Sequence, residues 1–148
     1  MKYLITGGAG FIGCNLARFI LDKGHDVVIL DDFSTGKREN LAEILDKITL
    51  IEGDIRDRKT LDRAVQGVSA IFHQAALASV PASVADPVTA HDVNVNGTIS
   101  VLESARAAGI KRVVFAASSA SYGDNPLSPK LETMCPVSIS PSSPVRST

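Results

Sequence analysis

Five short runs of apolar residues, many of them β-branched or aromatic, punctuate the chain and hardly alternate with polar ones: KYLIT (2–6), DVVIL (26–30), ITLIE (48–52), SAIFH (69–73) and RVVFAA (112–117). Such runs suit strands covered on both faces, the condition of a parallel sheet. Between them lie stretches of helical period at 11–24, 37–47, 57–67 and 86–109. Gly24 and Gly109 stand where helix C-caps belong, Asp57 where an N-cap belongs, and Pro87 in a first turn. The alternation predicts right-handed crossovers and a doubly wound α/β parallel sheet, a Rossmann arrangement of about five strands in the order 3-2-1-4-5 with helices on both faces.

A chain of 148 residues fits one domain with a substantial core, and the first 117 residues carry the whole alternating pattern. Fifteen basic and sixteen acidic side chains leave a net charge of −1 with neither sign gathered into a run, so neither nucleic-acid nor membrane-surface binding has electrostatic support. No apolar stretch approaches the ~20 residues of a membrane span, and the amino terminus lacks the order of a signal peptide, so the cytoplasm is expected. Cys14 and Cys135 are too few and too far apart for a disulfide framework or a zinc site, and both are expected to be free thiols.

TGGAGFIG (6–13) joins the first strand to the first helix, with Gly7, Gly10 and Gly13 spaced G-x-x-G-x-x-G. One glycine turns the chain, another admits a pyrophosphate to the backbone, and the third lets helix and strand pack closely. The helix amino end then offers free N–H groups and a positive dipole to the phosphates. A tight strand–helix turn is the plain alternative, and the position at the first βα junction favours a dinucleotide. About twenty residues on, Asp31 ends the second strand, where a carboxylate accepts from ribose hydroxyls and repels a 2′-phosphate, an argument for NAD over NADP. Lys37 and Arg38 are the counterargument, as cations near a phosphate, or else simply an exposed first helical turn. After the third strand, Asp54 either accepts from the adenine amino group or caps the next helix, a task for which Asp57 is better placed. HQAALASVP (73–81) puts small residues where a cofactor passes close to backbone, and His73, alone at a strand end, reads as structural rather than catalytic.

TGGAGFIG, DDFSTGKREN, GDIRD, HQAALASV, NVNGT and SSASYGDNP follow one another in the order of the extended short-chain dehydrogenase/reductase family. The chain resembles its NAD-dependent epimerases and dehydratases of sugar nucleotides over residues 2 to about 130, and most of all the UDP-hexose and UDP-N-acetylhexosamine 4-epimerases. By that resemblance Gly7, Gly10, Phe11, Ile12 and Gly13 hold the pyrophosphate, and Asp31, Asp32, Phe33, Ser34, Thr35 and Gly36 the adenosine ribose. Asp54 and Ile55 flank adenine, while Gln74, Ala75 and Ala76 line the cofactor further along. Asn94 matches an asparagine that organises the site from the long helix; on the residues alone it is an ordinary polar helix position. Ser118 matches the catalytic serine or threonine that hydrogen-bonds the sugar oxygen, although a serine pair before a loop is by itself turn chemistry.

The family's base is a tyrosine within Tyr-x-x-x-Lys, and here the pattern departs. Only Tyr3 and Tyr122 are present, with Gly7 and Pro126 four residues beyond them. Where the family carries Ser-Pro-Tyr-Ala-x-x-Lys, this chain reads Ser143, Pro144, Val145. Residues 118–148 hold five of the seven prolines and are expected to be a loop-rich tail, stopping short of the base and of the substrate-binding region. The leading expectation is therefore the NAD-binding portion of a sugar-nucleotide 4-epimerase, with a UDP-sugar as substrate. A dehydratase, decarboxylase or reductase on the same scaffold and a non-catalytic NAD-binding module are the alternatives. The stretch 86–109 resembles the family's dimer helix, which implies a homodimer.

Overall fold

The computed structural model describes residues 1–118, 122, 128–131, 133 and 134. The apolar runs become strands β1 (Lys2–Thr6), β2 (Asp26–Asp31), β3 (Ile48–Glu52), β4 (Ala70–His73) and β5 (Val113–Phe115). All pair in parallel, in the order β3-β2-β1-β4-β5 expected from the alternation. The chain divides after Phe115 into a unit of residues 1–115 and a second of residues 116–148. Among the described residues of the second there is no strand, and a turn closes where Met134 N–H donates to the Leu131 carbonyl at 3.0 Å.

The lack of alternation in the strands has its cause in a core on each side of the sheet. Leu4, Val28, Leu30 and Ile71 pack to one side with Leu61 and Ala64 of α2 (Arg58–Ala64) and Val101 and Ala105 of α5 (Thr98–Ala107). Ile5, Val27 and Ile29 pack to the other with Cys14, Ala17 and Ile20 of α1 (Phe11–Asp22). Leu4 and Ile5, neighbours on the central strand, are both fully buried, and truncating such a side chain to alanine costs about 2–5 kcal/mol. Cys14 is a free thiol, and Cys135 lies outside the described residues.

Helix ends follow the expected chemistry. Gly24, at φ 75°, donates to Leu21 while His25 N–H reaches Ile20, a glycine-dependent stop after α1. Asp57 caps α2 by accepting from Lys59 N–H at 3.0 Å and from the Thr60 hydroxyl. Two segments differ from the sequence-based expectation. Residues Arg38–Lys47 form successive 3-10 turns instead of an α-helix. The Asn40 carbonyl is taken by Arg18 at 2.7 Å, and the two buried side chains, Leu41 and Ile44, are three residues apart, the spacing a three-residue turn aligns. The long helix over 86–109 is present as α4 (Pro87–His91), a π-helical stretch Asp92–Gly97 and α5. Hydroxyls of Thr98 and Ser100 bond back to the Asn94 and Asn96 carbonyls, competing with the regular ladder. A further helix, α3 (Val80–Ala85), follows β4 with Ser79 as its cap.

Gly13 sets how closely α1 approaches β1. A Cβ at this position would stand 2.4 Å from the Gly7 carbonyl oxygen and 2.6 Å from Gly8 Cα, both main-chain atoms that cannot step aside. Gly13→Ala is expected to lower stability by about 1–3 kcal/mol, read as a lower urea midpoint; an unchanged midpoint would refute the contact.

Candidate functional site

The carboxyl ends of β1 to β4 open onto one cleft of about 560 Å³, within the range of small-molecule sites and beside the place where strand order reverses between β1 and β4. Each strand end supplies a different kind of surface.

After β1 comes the glycine turn, and Gly7 and Gly10 line the cleft. Gly7 has φ 68°, and a Cβ on it would meet Ala75 N at 2.6 Å, so the turn lies directly against the loop after β4. Gly10 is the N-cap of α1 with no side-chain oxygen to offer, and the first turn carries no acidic residue. The leading N–H groups of Phe11, Ile12 and Gly13 are thereby left for an external acceptor, with the helix dipole behind them. Side chains of Phe11 and Ile12 project outward, those residues being 82% and 61% exposed; the contribution open to them and to Gly13 is through backbone.

After β2, Asp31, Asp32, Ser34, Thr35 and Gly36 line the cleft. Asp31 is buried, its carboxylate accepting from Ala9 N–H at 2.8 Å and Phe33 N–H at 2.9 Å. It thus ties the glycine turn to its own loop, and each oxygen retains a lone pair for a ligand hydroxyl. Gly36 gives it room, since a Cβ there would lie 2.8 Å from Asp31 Oδ1. Asp32 accepts from both the amide and the hydroxyl of Ser34. Phe33 is held in the left-handed region at φ 57° with Arg38 stacked over its ring.

After β3, Gly53, Asp54, Ile55 and Arg56 form a shelf. Arg56 donates to both oxygens of Asp54, from Nε to Oδ1 and from Nη2 to Oδ2, and reaches Asp92 at 2.8 Å. Those bonds from Arg56 hold the Asp54 carboxyl below the usual carboxylate range and raise the guanidinium in turn. Asp92 is lowered first by Asn96 and then by Arg56. Asp54 therefore faces the cleft as a carboxylate while Asp57 does the capping. Nothing in the local spacing announced Arg56, because its second partner lies 36 residues away.

After β4, Gln74, Ala75 and Ala76 line the cleft, with Leu77, Ala78 and Ser79 continuing the wall. Asn94 does not line it. Its amide instead clamps the main chain of Leu77, accepting from N–H at 2.8 Å and donating to the carbonyl at 3.1 Å. It acts on the cleft by fixing that wall. Ser118 is exposed and belongs to the second unit, and residues 143–145 lie outside the described residues.

His73 is buried beneath the site. Its Nδ1 lies 2.6 Å from Thr6 Oγ1 and its Nε2 2.9 Å from Thr98 Oγ1. The Thr98 hydroxyl donates to the Asn94 carbonyl at 2.7 Å, so it accepts from Nε2–H, and Nδ1 accepts from the Thr6 hydroxyl. Thr6 Oγ1 in turn accepts from Ala75 N–H. A second ring proton would break that chain of donors, and burial pushes the imidazole below its ordinary value of 6.5. Unfolding restores 6.5, so the unfolded chain binds the extra proton first as pH falls. Stability is fully present above pH 6.5 and drains away below it, toward the lower folded-state value. The urea midpoint is expected to drop between pH 7.5 and about 5.5, with a smaller drop in His73→Gln; equal slopes in both proteins would remove His73 from the account.

Comparison with known proteins places these features in company. The profile of the NAD dependent epimerase/dehydratase family matches residues 3–145. A UDP-glucose 4-epimerase of Klebsiella pneumoniae is 39% identical over 140 residues, covering 90% of this chain and 100% of that protein. Another, of Mycolicibacterium smegmatis, is 43% identical over 97% of this chain and 46% of its own length. A crystal structure of the UDP-glucose-4-epimerase from Stenotrophomonas maltophila, with bound NAD and formylated UDP-arabinopyranose, superposes with a TM-score of 0.85 at 32% identity, over 95% of this chain and 44% of that one. The chain thus spans under half the length of the latter two.

Proposed function

The chain belongs to the NAD dependent epimerase/dehydratase family, and from that premise we propose that residues 1–115 bind NAD as the amino-terminal part of a UDP-sugar 4-epimerase. The observation that carries this reading is the uncapped amino end of α1 at Gly10, opening into a cleft that all four strand ends line. Phosphates fit at those N–H groups, the adenosine ribose against Asp31 and its loop, and adenine on the shelf of Asp54 and Ile55. Gln74, Ala75 and Ala76 then border the nicotinamide half, their backbone fixed by Asn94 through Leu77. These residues bind and orient; the small side chains after β4 keep the wall close and exclude water. NAD, when bound, supplies reversible acceptance of the C4 hydride of the sugar. Ser118 is proposed to hydrogen-bond the sugar oxygen. No tyrosine in the sequence is followed four positions later by lysine, so the proposal gives these 148 residues cofactor binding and assigns no base.

Gly10→Asp tests the cofactor site, with circular dichroism as the check on folding, because a Cβ at Gly10 would stand 3.3 Å from the Gly7 carbonyl oxygen. Gly10 has φ −75° and ψ 172°, a conformation any residue adopts, and aspartate is a favoured N-cap. The new carboxylate takes the N–H groups meant for the pyrophosphate and repels it. Calorimetric titration is expected to show NAD binding to the wild-type chain and at least about a hundredfold weakening in the folded variant. A wild-type chain that takes up no NAD overturns the proposal.

The homodimer is proposed to form through the long helix. Val95, Ile99 and Leu102 are all exposed there, at spacings of four and three residues that put them on one stripe. Sedimentation is expected to give a dimer, and Ile99→Glu a monomer with NAD affinity retained; a monomeric wild type counts against it.

A further inference from the structure

We infer that Glu52, the last residue of β3, sets the preference for a dinucleotide without a 2′-phosphate by engaging Arg38. The inference rests on the NAD reading above and concerns two side chains which that reading leaves unused.

Asp31, the residue proposed to receive the ribose hydroxyls, is bonded to the amide of Phe33 at 2.9 Å. The Arg38 guanidinium carbon lies 4.2 Å from the centre of the Phe33 ring. A guanidinium therefore stands one side chain away from the ribose position, and an arginine in that neighbourhood is what accommodates a 2′-phosphate in dinucleotide sites, through paired charge-assisted hydrogen bonds. In this chain Arg38 is already committed: its Nη2 donates to Glu52 Oε2, and its face is stacked on Phe33.

The two side chains are 58% and 60% exposed, so the pair contributes little to holding the fold. Its effect is on charge. Glu52 neutralises the guanidinium stacked on this loop and adds a carboxylate on the strand beside Asp31, with which β2–β3 pairing puts it in register. A 2′-phosphate arriving there meets two carboxylates and a cation it can reach only by displacing one of them. The ribose hydroxyls of NAD make no such demand. Lys37 and Arg38, which on sequence could have argued for NADP, are on this reading outweighed by a residue fourteen positions beyond Arg38.

The test is calorimetric titration of the whole chain with NAD and with NADP, in the wild type, in Glu52→Gln and in the double variant Arg38→Ala/Glu52→Gln, with circular dichroism as the check on folding. Glu52→Gln is expected to tighten NADP about tenfold while NAD stays within about twofold. The double variant separates the freed guanidinium from the simple loss of a negative charge, and most of the gain should vanish in it. NADP affinity unchanged by Glu52→Gln, or a gain undiminished without Arg38, overturns the inference and leaves the NAD site standing. A wild-type chain that binds neither dinucleotide removes the NAD reading and this inference with it.

Discussion

Two glycines in van der Waals conflict with any side chain hold the site in place. Gly13, one turn into α1, lies so close to the Gly7 carbonyl and Gly8 Cα that only hydrogen fits between helix and turn. That contact brings the amino end of α1, at the cleft-lining Gly10, down onto the end of β1. Gly7 does the same on the other flank, its left-handed conformation pressing the turn against the amide of Ala75. Backbone approaches backbone on both sides, and a ligand brought here meets main-chain donors first.

Polar side chains then fix loops that apolar packing cannot reach. The Asp31 carboxylate fastens the glycine turn to the loop after β2, Thr6 and His73 connect the ends of β1 and β4, and Asn94 fastens the loop after β4 to the long helix. Each joins segments far apart in sequence, so each removes a loop motion that would otherwise widen the cleft. Charge is divided in a consistent way across it. The helix amino end presents positive potential where phosphate is proposed, whereas Asp31, Asp32 and Asp54 present acceptors where hydroxyls and an amino group are proposed, and Arg56 balances the last of these.

The sheet was legible because its signal is in the strands themselves: residues such as Val27 and Val28, adjacent and buried on opposite faces, leave no room for polar alternation. Turn and cap chemistry at Gly24, Asp57, Pro87 and Gly109 was legible for the same reason, each acting within a few residues of itself. Twelve of the residues singled out from the sequence, from Gly7 to Ala76, line the cleft. What escaped depends on distant partners. The 3-10 path of Arg38–Lys47 goes with the capture of the Asn40 carbonyl by Arg18, and the commitment of Arg38 follows from Glu52 on another strand. Ser79, two residues before Pro81, is a readable helix start inside a stretch whose small residues read first as cofactor-facing.

The long helix carries the strongest link between the proposed cofactor site and the proposed interface. At Gly97 a Cβ would stand 2.6 Å from Ile55 Cδ1, so the side chain of the adenine shelf fills a notch in that helix. Arg56, the next residue, reaches Asp92 at the start of the π-helical stretch. One element thus presents Asn94 to Leu77 and Gly97 to Ile55 while Val95, Ile99 and Leu102 stay exposed. A single helical stretch therefore steadies the cleft wall on one face, through Asn94 and Gly97, and carries an exposed apolar stripe on another, which couples cofactor site and proposed interface through the same backbone.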